Sequence, residues 1–97
     1  MNRKHRADAA QAEIVQAIRR IGWHVRVTSQ VGNDFPDLIC AGYVPTKGFR
    51  TVLLEVKSAG EALSKGQEQF AATWPGERHT VHSAAEAMEA LLGSALA

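Results

Sequence analysis

Glu55 and Lys57 stand two residues apart in the run Thr51-Val52-Leu53-Leu54-Glu55-Val56-Lys57. Side chains alternate along an extended strand, so the carboxylate and the amine leave from one face while Val56 points to the other. The rest of the run is apolar enough to be buried on both faces, where each ion costs several kcal/mol unless something compensates it. A divalent cation would compensate it. Asp37 opens another apolar run, Asp37-Leu38-Ile39-Cys40-Ala41, directly after Pro36. A short connection makes these two strands hairpin neighbours and puts Asp37 beside Glu55. Two carboxylates, helped by a backbone carbonyl such as that of Val56, form a hard oxygen site suited to Mg2+ or Mn2+. Phosphodiester hydrolysis needs an acidified water and neutralised charge at phosphorus, and divalent cations supply both. Lys57 would stabilise the developing negative charge or, with its pKa depressed by burial, orient or deprotonate the water.

The elements that must hold these residues are legible in the periodicity. From Asp8 to about Ile21, Ala10, Ile14, Ala17, Ile18 and Ile21 recur at helical spacing, and Asp8 with Gln11 has the form of a capping box. Gly22 ends that helix, and Trp23 to Thr28 alternates as a first strand. Gly32-Asn33-Asp34 marks a turn, Asp37–Ala41 is the second strand, and Gly42 to Gly48 is a connection to the third strand, Thr51–Lys57, at the centre of the sheet. Ser64-Lys65-Gly66-Gln67 caps a second helix with Phe70, Ala71 and Trp74 on its inner face, stopped by Pro75-Gly76. A short strand from Arg78 to His82 and a last helix behind Ser83-Ala84-Ala85-Glu86 complete the order α-β-β-β-α-β-α. The expected architecture is an α/β fold with a mixed central sheet flanked by helices, one domain over residues 1–97, loose only over 1–7.

Composition narrows the class of function. With 45% hydrophobic and 22% charged residues the chain is globular. Its net charge of +1 means that any nucleic-acid binding must come from the arrangement of charge and not its total. Cys40, the single cysteine, has no partner for an internal disulfide and fits a small core residue in a reduced, cytoplasmic setting. No apolar stretch is long enough to span a bilayer, so a soluble protein with no membrane partner is expected. Trp23 and Trp74, at the ends of apolar runs, read as core residues. His79 and His82 fall on opposite faces of a strand and make no shared metal site.

Pro36-Asp37 followed by Glu55-Val56-Lys57 resembles the signature of the PD-(D/E)XK nucleases. The α-β-β-β-α-β core of that superfamily, restriction-endonuclease-like, is similar to the order read from Asp8 to His82. Asp34 to Ile39, Glu55-Val56-Lys57-Ser58 and Leu63 to Gln67 resemble, more narrowly, the minimal stand-alone VRR-NUC nucleases. The resemblance implies a metal-dependent endonuclease acting on DNA, with Mg2+ or Mn2+ as cofactor. It further implies a homodimer that selects branched DNA or Holliday junctions, in a bacterial, phage or prophage setting. It implies a glutamate on the first helix near the metal, matched by Glu13 at the edge of the apolar face beside Ala17. It also brings Gln67 into the site, although Ser64-x-x-Gln67 is itself a capping box. Ser58 is a possible phosphate contact or a turn residue, and Arg3, Lys4 and Arg6, with Arg19, Arg20 and Arg26, could line a phosphate-binding surface or a solvated helix face. The competing function is a non-catalytic nucleic-acid-binding or assembly subunit in which Glu55 and Lys57 merely pair with each other.

Overall fold

Seven elements follow the expected order: α1 (Arg3–Arg20), β1 (His24–Val27), β2 (Leu38–Val44), β3 (Gly48–Val56), α2 (Lys65–Thr73), β4 (Glu77–Val81) and α3 (Ala84–Leu92). The computed structural model describes residues 3–93, with side chains over 8–93. Helix α1 starts well before Asp8, because no glycine or proline interrupts Arg3 to Ala7, and Asp8 therefore lies inside the helix instead of capping it.

The sheet has the order β1-β2-β3-β4, with β1/β2 and β2/β3 antiparallel and β3/β4 parallel. One face carries Val25, Leu38, Cys40, Val52, Leu54 and Val56 and is buried under Ile14 and Ile18 of α1 and Ala87 and Leu91 of α3. Trp23 is in this core as expected, 5% exposed, and Gly42 lets it in: a Cβ at Gly42 would fall within the indole ring. Burial pushes the Cys40 thiol up to about 12, which makes it an inert core residue.

The connection between β2 and β3 is tighter than Gly42–Gly48. Both strands run on until Pro45-Thr46-Lys47 turns the chain, with the Lys47 N–H donating to the Val44 carbonyl at 2.8 Å and Gly48 at φ +82°. This turn, closed by that bond and followed by a left-handed glycine, sets Val44 opposite Gly48 and Leu38 opposite Leu54.

Helix α2 departs from the expectation of a buried inner face. None of its residues is buried, and its aromatics instead meet Phe35 of the loop before β2. Phe70 stacks on Trp74 at 5.2 Å, and Trp74 is 39% exposed, so it is not a core residue. The helix sits at the margin of the sheet, close against the Asn33-Asp34 turn: a Cβ at Gly66 would collide with the Asp34 carboxylate. At α3, Ser83 caps as expected, but Glu86 reaches past the cap to the His82 N–H at 2.9 Å, so the second half of that capping box is displaced by one residue.

Candidate active site

Asp37 sits one residue before β2, and one step beyond the Leu38–Leu54 pair places it opposite Glu55. Its position is fixed by three bonds. The Thr28 N–H donates to the Asp37 carbonyl at 2.6 Å, the Thr28 hydroxyl to the Pro36 carbonyl at 2.8 Å, and the Val56 N–H to Asp37 Oδ2 at 2.8 Å. The last bond follows from the sequence: β2 has ended, proline stands where the next partner would be, and the Asp37 side chain accepts the N–H that the ladder leaves over. A strand residue directs its N–H and C=O to the same side, so the Val56 carbonyl faces the same way.

Glu55 is 4% exposed. Burial, then the hydrogen bond to Asp37 and repulsion by its charge, push Glu55 up to about 8 against the opposing pull of the Lys57 and Arg78 cations. At neutral pH Glu55 therefore tends to keep its proton. Gln67 Nε2 donates to Glu55 Oε2 at 3.3 Å, while Gln67 Oε1 accepts the Ser64 N–H at 2.9 Å. The capping box and the site contact coexist because the amide has two ends. Lys57 lies just past β3, with Nζ 3.6 Å from Glu61 Oε2 in the loop that follows. The ammonium is thus held by Glu61 and not by Glu55, contrary to a simple Glu55–Lys57 pair.

These groups open into a cleft of about 310 Å³ lined by Asp8, Gln11, Ser29, Asp37, Glu55, Val56, Lys57, Glu61 and Gln67. Glu13 does not line it and is exposed. At roughly 100° per residue, Glu13 is about 140° around α1 from Asp8 and about 160° from Gln11, so a helix that turns Asp8 and Gln11 to the cleft turns Glu13 away. Ser58, expected as a nucleic-acid contact, is 7% exposed and outside the lining; its N–H donates to Glu61 Oε1 at 3.0 Å. The side chains of Arg3, Lys4 and Arg6 lie outside the described residues. Sequence reasoning missed Asp8 and Gln11, whose i, i+3 spacing was assigned to capping, and it missed Glu61, Ser29 and Thr28, which carry no local signal.

The donor set suits a divalent cation. Two opposed carboxyls, one of them buried and with its pKa raised well above the usual carboxylate range, form a pair whose ionised state a cation between them would favour, with the Val56 carbonyl directed to the same side. Among the described residues no cluster of three His, Cys, Asp or Glu ligands is formed. A second cavity of about 460 Å³ between β4 and α3 offers less, because its Arg50 guanidinium is taken up by Glu77 and the carbonyls of Ala90 and Leu91. No helix of the described residues is long and apolar enough to cross a membrane.

No family model matches this sequence, and no curated protein is recognisably similar to it. A solved structure described as a VRR_NUC domain superposes with a TM-score of 0.70 at 19% identity, covering 89% of this chain and 94% of the other. The α/β fold with its four-stranded mixed sheet, flanking helices and C-terminal helix is therefore the fold of that VRR_NUC domain.

Proposed function

We propose that this protein is a Mg2+- or Mn2+-dependent endonuclease that hydrolyses DNA phosphodiester bonds. The observation that carries the reading is the opposed Asp37–Glu55 pair at the floor of a cleft with Lys57 at its side. Asp37, Glu55 and the Val56 carbonyl would hold a cation here, which when bound would supply charge neutralisation at phosphorus and a more acidic water, while Asp8 lines the cleft from α1. The chain's own residues do the rest. Gln67 orients Glu55 through Oε2, and the Val56 N–H orients Asp37 through Oδ2. Lys57, restrained by Glu61, places its ammonium where negative charge grows on the phosphoryl oxygens. The Lys57–Glu61 pairing also weighs against the purely structural alternative, in which Lys57 would be needed to neutralise Glu55.

Branched DNA as the preferred substrate and a homodimer as the working form belong to the same proposal, because the fold has no base-reading module and leaves selection to backbone geometry. The test is to incubate the protein with synthetic four-way junction, duplex and single-stranded DNA in Mg2+, Mn2+ or chelator, with light scattering on the same samples. Metal-dependent cleavage, fastest on the junction and from a dimer, is expected. Intact DNA in every metal would overturn the enzyme reading, and a monomer that cuts all three substrates equally would overturn junction selection alone.

A further inference from the structure

We propose that Arg78 is a phosphate-binding residue beside this cleft, outside its lining but on the same sheet face, gripping the DNA backbone on the β4 side of the carboxylate pair. The inference rests on the nucleic-acid reading above and is independent of whether the bond is cut.

The register places it. Leu53 pairs with Arg78 and Glu55 with Thr80, so Arg78 and Thr80 share the sheet face that carries Glu55. Arg78 Nη2 donates to Thr80 Oγ1 at 2.8 Å, which draws the guanidinium forward along β4 to the level of Glu55. Lys57 and Arg78 thus stand on two sides of the carboxylate pair, one past the end of β3 and one on the neighbouring strand. The Arg78 charge is felt there, since it opposes the rise in the Glu55 pKa.

The guanidinium is also under-used. Thr80 is its one hydrogen-bond partner among the described residues, no carboxylate there pairs with it, and Arg78 Nε is buried without an acceptor. Arg50 at the other end of the sheet shows the contrast, with a carboxylate and two carbonyls. With Nε shut away from solvent, the guanidinium edge left to meet an acceptor is that of the Nη atoms, which no carboxylate closes among the described residues. The ligand that brings oxygen acceptors and negative charge to this cleft is a phosphodiester, and the planar fork of arginine suits two phosphate oxygens at once. Arg26 lies exposed on the same face of β1, so cations flank the site on both outer strands.

The experiment measures binding of fluorescein-labelled four-way junction DNA by anisotropy across a salt series, with Ca2+ in place of Mg2+ and Mn2+. Arg78→Gln is expected to weaken binding about tenfold at 0.1 M salt and to lower the log–log salt slope by about 1. Arg78→Lys is expected to restore the slope but not the full affinity, because it keeps the charge and loses the fork. Thr80→Val preserves strand shape and all charges, and is expected to weaken binding about threefold at an unchanged slope. An Arg78→Gln protein with the parent's affinity and slope would overturn the proposal and leave Arg78 as an electrostatic neighbour of Glu55. Absence of DNA binding by the parent protein would overturn it as well. Binding with the expected slopes but no cleavage in any metal would remove the nuclease reading and leave Arg78 in place.

Discussion

Glu55→Gln should make the metal-free protein more stable, and by an amount that depends on pH. A glutamine reproduces the protonated side chain: its amide can donate to Asp37 as the acid does, and its oxygen can accept from Gln67 Nε2. The native state holds Glu55 near 8 against an ordinary 4.5, so it binds a proton that the unfolded chain gives up. Stability from this group is fully present below about pH 4.5 and is lost as pH rises through the folded value near 8. At about 1.4 kcal/mol per pH unit, the 2.5 units between 4.5 and neutrality cost about 3 kcal/mol at pH 7, rising toward about 5 kcal/mol above pH 8. A domain of this size has of order 5–15 kcal/mol in total, so the effect is large. Urea unfolding followed by the fluorescence of buried Trp23, in chelator from pH 4 to 9, measures it. The parent should lose stability relative to Glu55→Gln across that range at an unchanged denaturant slope. Saturating Mg2+ at about 100 times its Kd should return about 2.7 kcal/mol to the parent and much less to the variant. Parallel stability curves for the two proteins would refute the argument that Glu55 is held protonated by burial and by Asp37.

Lys57→Met should lower kcat for junction cleavage about 100-fold or more with little change in KM, measured by single- and multiple-turnover gel assays, since its ammonium serves charge that appears in the transition state. Asp8→Ala should raise the Mn2+ concentration needed for half-maximal cleavage several-fold while Glu13→Ala leaves it within twofold; the reverse order would mean that α1 is rotated relative to the cleft. Gly42→Ala should cost about 1–3 kcal/mol in thermal or urea unfolding through overpacking against Trp23, without moving the site. Ser64→Ala should cost about 1 kcal/mol by the same measurement and loosen Gln67 from Glu55, lowering cleavage as well.

The order of elements, the core strands and the Asp37, Glu55 and Lys57 positions are legible because they depend on local periodicity and on hairpin adjacency, whereas Gln67 enters the site only through the resemblance. Short-range patterns report which face a residue takes on its own strand or helix. They do not report how one element is rotated against another, which is why Asp8 reads only as a cap and Glu13 enters only through the resemblance. The two differ by about 140° around α1, and only the docking of Ile14 and Ile18 on the sheet decides which one sees the cleft. Trp74 was misplaced for a related reason. An apolar residue at helical spacing marks an amphipathic face, but α2 lies at the margin of the sheet and turns that face to Phe35 and solvent. Glu61 and Thr28 were invisible because loop residues acquire their partners through backbone paths that no periodicity encodes.

The turn at Pro45-Thr46-Lys47 acts as the reading frame of the site. Seven strand residues, about 23 Å at about 3.3 Å each, separate its Val44–Gly48 pair from Asp37 and Glu55. Substrate bound at the cleft need never touch it. Yet adding or removing one residue there slides β2 against β3, and a one-residue slip moves every side chain of β2 to the opposite face relative to its partners. Asp37 would leave Glu55, and the Val56 N–H would lose its acceptor, with no change in any residue of the cleft. Point substitutions in the turn are expected to be tolerated except at Gly48, where φ +82° disfavours a side chain. Changes of length are a different matter: among the strand connections, this hairpin is where a single inserted or deleted residue dismantles the chemistry from the far end of the molecule.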